Sequence, residues 1–366
     1  MQARLQTPEE IVAIRALSNE QGSSSSQQWL FESCATLPDL AMGRTFGGSS
    51  IALGVHAAYH TLPKEATGLR LYSVMGNFLG PGQADKIARI RVTNIRSTRT
   101  FATRQIIISQ TSTKDECIWQ DNFVMLIDFV AQKGKDEQEK RERNIVSYSV
   151  QPPLTQIAHH SELCDVKEHM KKEIDSGKTA QQAYDAMEAC FNLLDGWDNR
   201  YCPEGMFAQH TFATQVDRTS NQANRPIHER RTWDWARFRK PMPIQEFPTS
   251  DGILLPPTAI ACSAILLCHY LDTWTSVIVP WLAEIDWSEM ESYSTLDFAI
   301  RFHVDDLDAT QWHLRESKST TANNQRNYVE EQLWQEKPGQ DFTLVATVTE
   351  SCILRGVRQR KEKGKL

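Results

Sequence analysis

The sequence predicts an α+β fold built from one unit used twice. Two observations carry that reading. Each half holds a long apolar stretch of helical composition, and each stretch is followed by a run of four β-rich segments. A mixed-charge run from Lys133 to Arg143 falls between them and reads as a solvated linker. The expected organisation is therefore an N-terminal module over 1–130, a charged linker with a helical insertion over 131–204, and a C-terminal module over 205–366.

In the first half, Phe46 to Pro63 is helical in composition, with Gly47-Gly48 ahead of it and Pro63 closing it. Strands are expected near 70–79, 86–97, 100–111 and 117–130. The alternation in Lys86-Ile-Ala-Arg-Ile-Arg-Val92 and the β-branched run Ile106-Ile107-Ile108 are the strongest signals. A helical insertion follows at roughly 165–195, with Met170, Ile174, Ala183, Met187, Leu193 and Leu194 as packing positions. The second half opens with strands near 206–218 and 230–240. A helix is expected over about 256–279, then strands at 292–303, 311–321, 326–336 and 342–355.

Composition narrows the function. Of 366 residues, 40% are hydrophobic, with 10 Trp and 14 Phe, which describes an ordered globular chain. A formal charge of −6 argues against a nucleic-acid binder, which would carry a basic face. The N-terminus lacks the apolar core of a secretory signal. The most apolar stretch, Gly252 to Leu271, is broken early by Pro256-Pro257 and ends at His269 and Asp272. A membrane span needs about 20 uninterrupted apolar residues, so a buried core helix is expected and no membrane span. Eight cysteines without regular spacing read as reduced thiols of an intracellular protein.

Two local patterns have a plain and a functional reading. In Thr232 to Arg239, Trp233, Trp235, Arg237 and Arg239 share one strand face. They suit a half-buried strand with snorkelling arginines, or a basic wall for a phosphorylated ligand. His159, His160, Cys164 and His169 are the cluster most like metal ligands. The paired spacing of a structural zinc site is missing, so no metal is expected.

With these elements in place, the chain resembles the type II acyl-CoA thioesterases of bacteria and peroxisomes. Phe46-Gly47-Gly48 matches the family's Phe-Gly-Gly opening of a central helix. Phe78-Leu79-Gly80-Pro81-Gly82 matches Phe-Leu-Arg-Pro-Gly, and Thr100-Phe101-Ala102-Thr103-Arg104 matches Ser-Phe-Ala-x-Arg. Trp235-Ala236-Arg237, Thr295-Leu296-Asp297 with Phe302-His303, and Val345-Ala346 through Arg355 continue the match in order over roughly 28–130 and 205–355.

The resemblance implies a double hotdog: two tandem modules, each a curved antiparallel sheet wrapped around a long central helix. The two sheets would join into one layer, with the acyl thioester bound between the modules and no cofactor required. It also implies a catalytic set carried over as Asp272, Thr295 and, where the family has Gln, Glu350. Gly47, Gly48, Trp235 and Arg237 are the expected substrate-binding residues. Backbone N–H groups after Gly47-Gly48 suit the substrate's carbonyl oxygen. Each residue keeps a plain reading as well: Asp272 as the polar end of an apolar helix, Thr295 as an ordinary strand residue, and Gly47-Gly48 as close packing. His56 and His60, at i and i+4 of the first helix, stand where the family has other residues.

Four positions depart from the family pattern: Met75 for His, Gly80 for Arg, Phe298 for His, and Glu350 for Gln. Function resides in the site and does not travel automatically with the fold. Hydrolysis of an acyl-CoA or carrier-bound thioester leads. A non-hydrolytic dehydratase, isomerase or cyclase using Asp272 and Glu350 as an acid–base pair, and a catalytically silent binding module, stay open. Glu350 and Ser351 must face opposite ways on a strand, so one residue of register decides whether the carboxylate meets Asp272. A homo-oligomer is compatible with the sequence. The C-terminal Gly364-Lys365-Leu366 resembles a Ser-Lys-Leu peroxisomal address with Gly for Ser, leaving cytosol or peroxisome as the expected location.

Overall fold

Alternating burial is the local signature of the strands. In Trp119–Ala131, Phe123, Met125, Ile127 and Phe129 are buried, while residues between them are more open. Phe298, Ile300 and Phe302 repeat the pattern in Met290–Phe302. With a period of two, such segments can bury only one face, and each half buries that face on its apolar helix. A computed structural model describes residues 8–20, 27–38, 43–63, 68–132, 145–177, 181–209, 220–245, 248–285, 289–337 and 339–356.

The first half contains α1 (Pro8–Val12), β1 (Ile14–Glu20), β2 (Gln28–Ser33) and α2 (Gly47–Tyr59). It continues with β3 (Leu69–Phe78), β4 (Arg89–Ser97), β5 (Phe101–Thr111) and β6 (Trp119–Ala131). Helices α3 (Val166–Asp175) and α4 (Gln181–Asn192) lead to β7 (Trp197–Tyr201) and α5 (Met206–Gln209). The second half holds β8 (Thr232–Phe238), β9 (Ile253–Leu254), α6 (Ala259–Leu271) and α7 (Ile278–Leu282). It ends with β10 (Met290–Phe302), β11 (His313–Asn323), β12 (Arg326–Gln335) and β13 (Thr343–Gly356).

Among the described residues thirteen strands form one sheet, ordered β7-β8-β11-β12-β13-β10-β3-β6-β5-β4-β2-β1-β9. Every pairing is antiparallel, and the halves meet where β3 lies beside β10, with Phe298 opposite Gly76 and Asp297 opposite Asn77. A Cβ on Gly76 would lie 2.7 Å from the Val124 carbonyl oxygen and 2.9 Å from the Phe298 ring. Glycine at 76 thus lets the Phe298 ring cross the seam to reach Phe78 and Phe123. Helices α2 and α6 lie together in the core, buried on nearly every side. Thr258 caps α6 by accepting from the Ala261 N–H at 3.1 Å, which supplies one of the partners a helix start lacks. The stretch Ala259–Leu282 is long and apolar enough to cross a membrane, but 89% of its apolar window is buried inside the fold.

The segment after the charged run covers the sheet face turned away from the helices. Trp334 Nε1 donates to the Val150 carbonyl at 2.8 Å, and Trp235 Nε1 to that of Ala158 at 3.1 Å.

The structure departs from the sequence reading in several places. Strands β1, β2 and β9 extend the sheet beyond the expected set, and β7 lies within the stretch read as linker and insertion. The strand expected near 206–218 begins instead as the short helix α5, and 210–219 lie outside the described residues. The helix expected to reach 279 stops at Leu271, because Trp274 takes a left-handed backbone, φ 70°. The whole Lys133–Arg143 run and the C-terminal Gly364-Lys365-Leu366 also lie outside the described residues.

Sharing one sheet makes the halves interdependent. Fragments 1–150 and 200–366 expressed separately are expected to be insoluble, since each would bare the β3 or β10 edge and an apolar face. Co-expression should recover soluble protein. A well-dispersed NMR spectrum from either fragment alone overturns this expectation.

Candidate active site

Between the modules lies a cavity of about 400 Å³. Its walls are the start of α2 (Gly47, Ser50), the Phe78–Gly82 corner, the turn after α6 (Asp272, Thr273, Trp274), and Tyr293 to Leu296 of β10. Cys190 and Leu193, at the end of the helical insertion, also line it.

Asp272 is built in by two helices of opposite halves. It ends α6, and its side chain reaches the first turn of α2, where it accepts a hydrogen bond from the Gly48 N–H. A Cβ on Gly47 would stand 2.7 Å from Asp272 Oδ2, and one on Gly48 would stand 2.5 Å from the His269 carbonyl oxygen. The paired glycines are what permit this approach. A helix start attracts a carboxylate through its unpaired N–H groups and positive dipole end. The Gly48 N–H therefore serves Asp272 and is not free for a substrate's carbonyl. Asp272 Oδ1 has no hydrogen-bond partner among the described residues.

Glu350 is 1% exposed on β13, opposite Phe298 on one side and Val329 on the other. Its carboxyl points inward, where Thr295 Oγ1 donates to Oε2 at 3.2 Å. The neighbouring Ser351 points the other way and donates to Asp297 Oδ1 at 3.2 Å. The Thr275 side chain also hydrogen-bonds Glu350, while the Thr275 hydroxyl lies 3.1 Å from the Asp272 carbonyl oxygen. Asp272 and Thr295 line the cavity, and Glu350 sits behind them.

Burial dominates the electrostatics. It lifts Asp272 to about 7; the Gly48 N–H opposes the lift and the charge of Glu331 adds to it. Glu350 is raised well above the ordinary carboxylate range by burial, then by the charges of Asp272 and Glu331. Two carboxylates so placed cannot both ionise cheaply. The pair therefore holds a proton above the ordinary carboxylate range.

A buried network that the sequence reading did not anticipate holds this turn. Arg315 donates to the Thr273 carbonyl at 2.9 Å and to Asp234 at 2.9 Å, and Tyr270 OH donates to Asp234. Glu331 lies 3.8 Å from the same guanidinium, and burial lifts it to about 7. His313, Arg315, Ser317 and Ser319 are all buried on alternate positions of β11. That period was the available signal, obscured because inward polar residues do not look like core.

The remaining candidates fall elsewhere. Trp235 is fully buried and Arg237 is pinned outside the cavity, its guanidinium 4.5 Å over Trp312 and 3.5 Å from Asp198. Asp234 and Ala236 face the helices, so strand alternation sends 235 and 237 to the opposite side. The expected substrate wall there is instead a packed layer. His159 and His160 each meet one oxygen of Glu336 through Nε2, at 2.9 and 2.8 Å, clasping the covering segment to the end of β12. Among the described residues, Cys164 and His169 are not part of that group. His56 Nδ1 bonds the Val12 carbonyl at 2.7 Å, and His60 bonds that of Leu255 at 3.0 Å, toward the far end of α2. Of the four departures, Phe298 and Glu350 lie inside, Gly80 is on the cavity wall with open space around its Cα, and Met75 faces outward.

Comparison with known proteins places this architecture. Residues 37–129 match the acyl-CoA thioesterase N-terminal domain, and residues 192–354 match the acyl-CoA thioesterase C-terminal domain. A search of curated proteins by sequence found no match. Among solved structures, the acyl-CoA thioesterase II TesB2 of Mycobacterium marinum is similar at 17% identity and a TM-score of 0.56, over 96% of this chain and 98% of that one. The tesB protein of Mycobacterium avium subs paratuberculosis shares 14% identity at a TM-score of 0.57, over 92% and 96%. A hot dog fold protein of unknown function from Alicyclobacillus acidocaldarius shares 14% at 0.52, again over 92% and 96%.

Proposed function

Because this chain belongs to the acyl-CoA thioesterase family, we propose that it hydrolyses an acyl thioester with a water molecule activated by Asp272, without a covalent intermediate. The observation that carries this reading is the buried Oδ1 of Asp272, partnerless among the described residues, on a cavity-lining residue whose carboxyl ionises at about 7. A general base works best with a pKa near the working pH. The Gly48 N–H keeps Asp272 ionisable despite burial, and helix α2 fixes its direction. Thr295 stands beside it on the cavity wall with its hydroxyl directed to Glu350. In this scheme Thr295 and Glu350 hold the acidic side of the site in a single hydrogen-bonded arrangement. Asp272 takes a proton from the attacking water as the water oxygen bonds the thioester carbonyl carbon. When the C–S bond breaks, that proton passes from Asp272 to the departing thiolate, releasing the free thiol and the carboxylic acid.

A second reading is favoured by one observation. Glu350 is a buried second carboxyl whose ionisation is opposed by burial and by the charge of Asp272, an arrangement suited to an acid–base pair acting on the acyl chain. The two readings part on one assay. Purified protein incubated with a panel of acyl-CoA thioesters and a thiol reagent is expected to release free CoA from at least one of them. Conversion of the acyl group, seen by mass spectrometry with no thiol released, overturns the hydrolytic reading.

A further inference from the structure

Two residues past Asp272, the chain does something costly. Trp274 has φ 70° and ψ −9°. For a bulky L-residue this left-handed conformation is an outlier that persists only where the surroundings over-determine it, and such residues gather at functional sites. Here the surroundings are aromatic. The Trp274 ring lies 5.9 Å from Phe191, 5.5 Å from Phe207 and 5.7 Å from Trp281, measured between centroids. Phe191 comes from the helical insertion, and Phe207 and Trp281 are buried behind the ring. Trp274 itself is only half-buried and lines the cavity beside Leu193 and Cys190. The cluster supports the ring from the protein side and leaves it facing the substrate space.

We propose that Trp274, backed by the helical insertion, is the wall that limits the acyl group, and that the site takes compact acyl groups in preference to long straight chains. The inference rests on the acyl-thioester reading of the cavity. Rim and interior divide accordingly. Arg44, Leu79, Pro81 and Ser294 are exposed at one side, while Thr273, Val277 and Leu193 are buried at the other. A cavity of about 400 Å³ is also near the small end of the about 300–1,000 Å³ range of ligand pockets. It must hold the thioester as well as the acyl group.

Replacement by glycine separates wall from backbone, since glycine adopts a left-handed turn without strain. The test measures Kd by calorimetry for full-length wild type and Trp274→Gly with thioether analogues of acetyl-, octanoyl- and palmitoyl-CoA, which cannot be hydrolysed. Wild type is expected to bind the palmitoyl analogue more weakly than the octanoyl one. Trp274→Gly should shift the palmitoyl-to-acetyl affinity ratio by about tenfold or more toward the long chain, as expected when apolar space opens in a pocket. Leu193→Ala opens the same wall without touching the turn and should shift the ratio in the same direction. It keeps the test decisive if the glycine variant does not fold. An unchanged ratio in every folded variant overturns the proposal. Wild type that binds the analogues with this discrimination yet releases no thiol from acyl-CoAs removes the hydrolytic reading and leaves the wall standing. Wild type that binds none of the analogues removes both.

Discussion

Asp272→Asn is expected to lower kcat for thiol release by about 10²–10⁴, the usual loss when a general base is removed. The amide has nearly the shape of the carboxylate but cannot take a proton from water. Its side-chain oxygen can still accept from the Gly48 N–H, so the contact between α2 and α6 survives and the fold should persist. The pH profile gives the sign of the wild-type behaviour. A carboxyl ionising at about 7 acts as a base only above that point, so wild-type activity should rise as pH passes upward through neutrality. The residual activity of the variant should lack that rise. Equal thiol release by wild type and Asp272→Asn would falsify the assignment of Asp272 as the base.

Glu350→Gln should produce the other large effect, with opposite outcomes under the two readings. An ionised Glu only accepts hydrogen bonds, whereas a Gln amide both donates and accepts without charge. If Glu350 keeps its proton while Asp272 ionises, the amide replaces one neutral donor with another. Thiol release near neutral pH is then preserved or raised, and the rise through about pH 7 stays in place. Under the acid–base reading the same change deletes the proton donor and abolishes conversion of the native substrate. Stability supplies an independent readout. Glu350 in the folded protein holds its proton above the ordinary carboxylate range, so between those limits the native state binds more protons than the unfolded one. Linkage then makes stability fall as pH rises. The melting temperature of wild type should drop from roughly pH 5 to pH 8, and that of Glu350→Gln should drop less. If activity, its pH profile and the melting curve are all unchanged, Glu350 lies outside the site.

The distribution of polar and apolar residues already separates this family member from its pattern. Phe298 closes the seam against Phe78 and Phe123, and Glu350 adds a second carboxyl behind Asp272 and Thr295. By contrast, Met75 points outward at 36% exposure, so that departure lies away from the cavity.

By itself the sequence determined the doubled plan, the two buried helices and the eight strands that follow them. These depend on alternation and apolar runs within a single segment, where periods of two and 3.6 are written locally. The inward direction of Glu350 is not of that kind: one residue of register would turn it outward, and the pairing of β13 with β10 and β12 sets it. Only the tertiary structure decided the rest. Strands β1, β2 and β9 are short or polar, as in Ile14-Arg-Ala-Leu-Ser-Asn-Glu20, and exist because an open sheet edge was there to pair with. Trp235 and Arg237 looked like a ligand wall because their shared face is local information, whereas the segment that covers it comes from residues near 150–163. The break after Leu271 is equally non-local: Trp274 is held left-handed by rings from Phe191, Phe207 and Trp281. The bond between Gly48 and Asp272 joins residues of opposite modules, and Arg315 reaches Asp234 and Thr273 from a third strand. Periodicity identifies an element and its buried face, but the partners that face it are chosen by packing between segments far apart in the chain.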